Sequence, residues 1–148
     1  MKEQTLNIRY MVAQLSELSP QEQELVNRAK AATSNAYANY SHFYVGAALL
    51  LGDGRIVIGA NQENAAFPSG LCAERSAIFG AQSNYPDQPI LTLAIAARNG
   101  NGFLKSPISP SALSGRAASR TLVLSLPYSF MFESTKQKGR RSLMLSKQ

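Results

Sequence analysis

Two apolar runs separated by a short turn are the feature that most constrains the fold of this chain. Residues 44–51 read YVGAALLL, and residues 55–60 read RIVIGA. Between them lies Gly52-Asp53-Gly54, and these residue types tolerate the positive φ angles of tight turns. The pattern therefore predicts a β-hairpin.

A helical pattern precedes the hairpin. Ser19-Pro20-Gln21-Glu22 has the features of a helix start, with a capping serine, a proline at the first helical position and an acidic residue in the first turn. The apolar residues that follow predict an amphipathic helix over roughly residues 20–37. They are Leu25, Val26, Ala29, Ala32 and Ala36.

A second helix and a further strand are predicted after the hairpin. Residues 71–81 are alanine-rich, with small apolar side chains on one face, which indicates a buried helix. Residues 91–97, LTLAIAA, predict a core strand, and residues 99–102, NGNG, predict a turn. The order helix, hairpin, helix, strand predicts an α/β sandwich with a mixed sheet, in which the second helix lies across the sheet.

The length and the cysteine count favour one intracellular domain. A chain of 148 residues can bury a core of its own, and its single cysteine cannot form an internal disulfide. The first residues, MKEQTLNIRYMVAQ, contain no apolar run long enough for a signal peptide or a membrane span. We therefore expect a cytoplasmic protein with no membrane partner.

The net charge of +6 is concentrated in the last third of the chain. Residues 1–103 carry seven Lys/Arg and eight Asp/Glu, whereas residues 104–148 carry eight Lys/Arg and one acidic residue. The second segment is also rich in serine and lacks the interleaved aromatic residues that stack on bases. We therefore expect no nucleic-acid partner, and we treat a nucleic-acid-binding tail only as a minor alternative.

The stretch SGLCAERSA, residues 69–77, contains the only cysteine. A lone cysteine in an alanine-rich helix is most often a small core residue. Glu74 changes this interpretation, because a buried carboxylate is costly unless it is paired or functional. A thiolate at a helix N-terminus, such as that of Cys72, is also stabilised by the helix dipole.

Three motifs together resemble those of the small homotetrameric cytidine deaminases. They are YSHFYVGAAL at residues 40–49, GANQENA at 59–65 and CAER at 72–75, in the order and spacing of that family. The resemblance covers about residues 20–110. It implies a three-layer α/β/α sandwich and a zinc enzyme that converts cytidine or deoxycytidine to the uridine form, a step of pyrimidine salvage. It also implies a homotetramer that acts on a small nucleoside.

The resemblance assigns the chemistry to the third motif. Cys72 would be a zinc ligand, and Glu74 would take a proton from the metal-bound water and deliver it to N3 and the leaving amine. Arg75 would offset the negative charge of the zinc thiolates, and the main chain at Ala73 would meet the base. On residue type alone, Arg75 is more often a surface cation.

The first two motifs would bind the substrate. The resemblance implies that Asn61 and Glu63 hydrogen-bond the ribose and that Phe43 packs on the pyrimidine. On residue type alone, Asn61 could simply end a strand, and Phe43 is more often a core residue. His42 falls at a position that the family does not use for zinc, so we predict a solvent-facing or loop histidine.

The chain departs from the family after Pro110. The family supplies its other two zinc ligands from a P-C-x-x-C motif, but Ser111 and Ser114 stand where both cysteines are expected. Neutral hydroxyls are weak zinc ligands. No Arg-Gln pair, apolar helix or final strand is evident beyond this point, so residues 1–110 are predicted as the deaminase-like domain and 111–148 as a divergent basic tail.

The abrupt loss of resemblance suggests the hypothesis of a shifted reading frame. Absence of a P-C-x-x-C continuation in the other two frames would reject this hypothesis. Two other functions stay open: a non-catalytic paralogue that binds a nucleoside without turnover, and a deaminase of a peptidyl nucleoside. The NQEN stretch at residues 61–64 favours an ordinary ribose over the last of these.

Overall fold

The computed structural model describes residues 10–103, 120–124 and 129–133. Its strands are β1 (Tyr10–Ala13), β2 (Tyr44–Leu51), β3 (Ile56–Ala60), β4 (Ile90–Asn99), β5 (Gly102–Phe103), β6 (Arg120–Leu124) and β7 (Ser129–Glu133). Its α-helices are α1 (Pro20–Ala32) and α2 (Ala73–Asn84), and short 3-10 helices cover Leu15–Glu17, Thr33–Asn35 and Phe67–Ser69. Neither α-helix in these ranges has the length and apolar character of a membrane span.

The sheet is mixed, as the sequence predicts. Its strand order is β1-β7-β6-β4-β2-β3, with β5 added beside β4. β2 runs antiparallel to both of its neighbours, and β4 pairs with β6 in parallel. The predicted hairpin is confirmed, because Gly46 pairs with Ala60 and Leu50 with Ile56, and Gly54 in the turn has a φ of +87°.

The two helices lie on opposite faces of the sheet, so the predicted three-layer sandwich is confirmed. Successive side chains of a strand point to opposite faces, and β2 divides its side chains between two cores. The core between α1 and the sheet contains Leu25, Val26, Ala29, Ala48, Leu50, Ala94 and Ala96. The core between α2 and the sheet contains Ala47, Leu49, Leu51, Ala73, Ala77, Ala81, Leu93 and Ile95.

The first helix begins where the sequence predicts and ends slightly earlier. Ser19 caps α1: its Oγ accepts the Glu22 N–H at 3.4 Å, and the Glu22 carboxylate accepts the Ser19 N–H at 2.9 Å. After Ala32 the chain continues as one 3-10 turn and becomes extended at Ala36. α1 lies close to the sheet, because a Cβ on Gly46 would be 2.2 Å from the Ala29 oxygen.

The C-terminal part contains two strands that the sequence analysis did not find. β6 pairs with β4 in parallel, and β7 pairs antiparallel with both β6 and β1. Short apolar runs do not distinguish a strand from a buried helical segment by periodicity alone, and here long-range pairing decides. Pro110, Ser111 and Ser114 lie outside the described residues, so the predicted domain boundary there stays a prediction.

Candidate functional site

The N-terminus of α2 is fixed against β3 by a close backbone contact. A Cβ on Gly59 would lie 2.4 Å from the Ala77 nitrogen and 2.6 Å from the Ala73 oxygen, so only glycine allows this approach. Cys72 is the N-cap residue in an extended conformation, and its carbonyl accepts the Ser76 N–H at 3.0 Å. The third sequence motif therefore sits at a helix start pressed onto the sheet.

Glu74 is a buried carboxylic acid in the first turn of α2. Only 2% of it is exposed, and Ala73 beside it is fully buried. Among the described residues, no hydrogen bond or ion pair to the Glu74 side chain is found. Because an unpaired buried carboxylate is costly, its place in the fold is typical of a functional acid or base.

A cleft of about 900 Å³ opens beside this helix start. Cys72 is half-buried and Arg75 is exposed, and both line the cleft. The second motif supplies the opposite wall. The lining residues are Tyr40, Ser41, Asn61, Gln62, Glu63, Asn64, Ala65, Phe67, Pro68, Gly70, Leu71, Cys72 and Arg75.

Glu63 is held by the loop that follows α1. Its Oε2 accepts the backbone N–H groups of Tyr40 at 3.0 Å and Ser41 at 3.2 Å, and its Oε1 accepts the Ser41 hydroxyl. The Ser41 hydrogen bond is the largest cause that lowers the pKa of Glu63; burial opposes it, and the two N–H groups and His42 add to it. The carboxylate is therefore oriented before any ligand arrives.

Asn61 ties the end of β3 to the start of β2. Its Oδ1 accepts the Val45 N–H at 2.8 Å, and its Nδ2 donates to the Phe43 carbonyl at 2.9 Å. These bonds agree with the alternative that Asn61 simply ends a strand. They leave one N–H and one lone pair of the amide for a ligand. The Phe43 side chain, which is 37% exposed, does not line the cleft.

The structure thus brings together part of the predicted site. Asn61, Glu63, Cys72 and Arg75 line one cleft, whereas Glu74 lies buried in the adjoining helix turn. The predicted roles of these residues stay predictions.

Two residues of the first motif complete this description. His42 is exposed in the loop before β2 with a φ of +54°, as predicted for a loop histidine. Ser41 was given no role by the sequence analysis. Its place two residues before Phe43 is the signal that could have found it.

The donor set does not fit a three-ligand zinc site. The whole chain has one cysteine and one histidine, and within the described part no group of three His, Cys, Asp or Glu side chains could hold a metal ion. Zinc sites in enzymes use three protein ligands, mostly thiolate or imidazole. Cys72 is the one cysteine that could supply such a ligand.

Comparisons with known proteins agree with this geometry. Residues 19–98 match the family model described as cytidine and deoxycytidylate deaminase zinc-binding region. The cytidine deaminase of Halalkalibacterium halodurans is 41% identical over 88 residues, which are 60% of this chain and 62% of that protein. A cytidine deaminase of Mycobacterium tuberculosis is 39% identical over 83 residues, 56% of this chain and 60% of that protein. The chain thus spans about three fifths of the length of these two relatives.

Solved structures give the same result for the fold. The crystal structure of cytidine deaminase from Burkholderia pseudomallei has a TM-score of 0.57 at 31% identity, covering 67% of this chain and 80% of that one. That of Mycobacterium tuberculosis cytidine deaminase has a TM-score of 0.55 at 33% identity, with coverages of 69% and 82%. The family match extends over more than half of the chain, from the cap of α1 to β4. The chain therefore belongs to the cytidine and deoxycytidylate deaminase zinc-binding family.

Proposed function

We propose that this chain acts on cytidine or deoxycytidine, and that its reaction is hydrolytic deamination to the uridine form. The observation that carries the proposal is Glu74, which is 2% exposed and without a protein partner among the described residues. It stands in the first turn of α2, next to a cleft lined by the three motifs of the family. A buried acid beside a nucleoside-sized cleft suits proton transfer during deamination.

The reaction exchanges an amino group for oxygen at C4 of the base. Water forms the new C–O bond, the C–N bond breaks, and ammonia leaves with the proton that it needs. Glu74 accepts one proton from the attacking water and delivers it to N3. It then carries the second proton, from the new hydroxyl on C4, to the leaving amine, so that the C4=O bond forms as ammonia departs. Its burial in the first turn of α2, beside the cleft, supports this role.

The cleft supplies the binding groups. Asn61 and Glu63 present their unused hydrogen-bonding capacity to the ribose, and the main chain at Ala73 meets the base. Phe43, on the segment beside the cleft, packs on the pyrimidine. Arg75, exposed at the mouth of the cleft, supplies positive charge beside Cys72.

The incomplete set of possible zinc ligands favours a second candidate function. Zinc supplies an acidic water in the family, but the donors of this chain do not fit a three-ligand site. Cys72 offers one sulfur donor, whereas Ser111 and Ser114 offer only hydroxyl groups. A chain with this donor set would turn over slowly or act as a non-catalytic nucleoside-binding paralogue.

Three measurements on the full chain separate these functions: zinc content, cytidine binding and ammonia release. The matched variant is Ser111→Cys with Ser114→Cys, and its control is Ser34→Cys with Ser83→Cys, which adds two thiols at exposed positions on other parts of the surface. We expect nucleoside binding in all three proteins. Zinc and rapid ammonia release are expected only in the first variant.

The possible outcomes distinguish deamination from nucleoside binding without turnover. Ammonia release by the unchanged chain means that other ligands complete the site and that deamination is its function as it stands. Nucleoside binding without turnover in every protein supports the paralogue. No cytidine binding in any of them contradicts the proposed function altogether.

The remaining features of the proposal concern context. We propose a small-molecule nucleoside as the only substrate class, in a cytoplasmic enzyme of pyrimidine salvage, with no nucleic-acid or membrane partner. We also propose a homotetramer. Sedimentation equilibrium of the full chain tests the assembly, and a monomer at micromolar concentration would contradict it.

A further inference from the structure

The hydroxyl of Ser41 joins two parts of the cleft that the sequence motifs keep apart. It donates a hydrogen bond to Oε1 of Glu63 and accepts one from the Phe43 N–H at 3.1 Å. A serine hydroxyl has a single donor, so this donor is fully used by the carboxylate. Ser41 itself lines the cleft.

The Glu63 carboxylate is held in one orientation by this segment. Besides the Ser41 hydroxyl, it accepts the N–H groups of Tyr40 and Ser41. A carboxylate offers about four lone-pair sites, so one site is left for a ligand. Three donors from two adjacent residues thus set where that free site points.

The backbone of Phe43 is fixed on both sides. Its N–H donates to Ser41, and its carbonyl accepts from the Asn61 amide. Asn61 therefore holds the Phe43 segment directly, and Glu63 holds it through Ser41. Loss of the Ser41 hydroxyl would release the Phe43 N–H and one oxygen of Glu63 at the same time.

We propose that Ser41 is a positioning residue for nucleoside binding, which links the ribose-binding carboxylate of Glu63 to the base-packing segment at Phe43. This inference rests on the proposed function, because it needs a nucleoside in the cleft. Ser41 acts through its two partners and makes no chemical step of its own.

Because Glu63 is ionisable, the effect of Ser41 on nucleoside binding should change with pH. His42 adjoins it in the loop, and Arg75 and Cys72 line the same cleft from α2. The hydrogen bond from Ser41 is the largest cause of the lowered pKa of Glu63. Removal of that donor raises the pKa towards its ordinary value, so binding that needs the carboxylate is lost at a higher pH than in the unchanged protein.

The test is calorimetric titration of the full chain with cytidine, near neutral pH and down the acid limb. We expect Ser41→Ala to weaken binding about tenfold, the value of one charge-assisted hydrogen bond at an exposed site. Ser41→Thr keeps a hydroxyl and should stay within about threefold of the unchanged chain. Ser83→Ala, at an exposed position on α2, is the matched control.

The outcomes are distinct. If the unchanged chain binds cytidine and Ser41→Ala matches Ser83→Ala in affinity and acid limb, the positioning role is overturned while the proposed function stands. If the unchanged chain does not bind cytidine, both are overturned. Should Ser41→Ala fail to fold, Ser41→Cys replaces it, since a thiol is a weak donor, and equal affinity of the Cys and Thr variants would overturn the inference.

Discussion

The two regions beside the cleft differ in how far their polar groups are hydrogen-bonded within the protein. In the loop corner, formed by Ser41, Phe43, Asn61 and Glu63, side chains and backbone are hydrogen-bonded to one another. In the helix corner, formed by residues 72–75, the buried Glu74 has no such partner among the described residues. The difference teaches that the loop corner is held in place by its own hydrogen bonds, whereas the helix corner contains a buried carboxylate without a protein partner among the described residues.

Removal of the acid in the helix corner should have the largest effect. In the Ser111→Cys, Ser114→Cys background, Glu74→Gln should lower ammonia release about 10²–10⁴-fold, because the amide cannot carry the proton. The melting temperature should change little, because the amide has nearly the same size and no protein partner of the carboxylate is lost among the described residues. Glu24→Gln, at an exposed site on α1, is the control. Unchanged ammonia release would contradict the proposed role of Glu74.

The position of the helix corner is tested by a pair of glycine substitutions. Gly59→Ala should lower the free energy of unfolding by about 1–3 kcal/mol or more, because its Cβ overlaps the α2 backbone. Gly80→Ala, within α2 with no atom within 4 Å of its Cβ, should raise it by up to about 1 kcal/mol. Urea denaturation measures both. Equal effects would show that close packing does not hold α2.

The loop corner is tested by loss of a single donor. Asn61→Asp removes the N–H donor to the Phe43 carbonyl, which should cost about 1 kcal/mol of stability. Cytidine affinity should fall in the same variant, since stability and binding share this contact. Asn101→Asp, exposed in the turn between β4 and β5, should change stability by less than about 0.5 kcal/mol. An Asn61→Asp variant with unchanged stability and unchanged cytidine affinity would contradict both expectations.

A smaller effect is expected from pH. The pKa of Glu63 is lowered below 4.5, so its stabilising contribution is present above the unfolded-state value and is lost as pH falls through the folded-state value. The amide NMR signals of Tyr40 and Ser41 should therefore shift with a midpoint below 4.5. They should not titrate there in Glu63→Gln. A midpoint at or above 4.5 would mean that the loop corner does not hold the carboxylate in solution.

The sequence by itself determined the elements of the central part of the fold. The GDG turn between two apolar runs predicted the hairpin of β2 and β3, and helical spacing predicted both helices within a few residues. It also singled out Glu74, which would be costly if buried among small apolar residues, and the structure shows that this side chain is buried. These features depend on neighbours in the chain, so local periodicity is enough to find them.

Only the tertiary structure decided how the cleft is held together and how the sheet continues. Ser41 and Glu63 are 22 residues apart, and Asn61 reaches Phe43 across 18. The pairing of β6 with β4 likewise joins distant segments. The Ser41 hydroxyl belongs to no periodic pattern in the sequence. Its partner, Glu63, is determined by the geometry of the folded backbone. Contacts of this kind become visible only when the strands that carry them are placed in space.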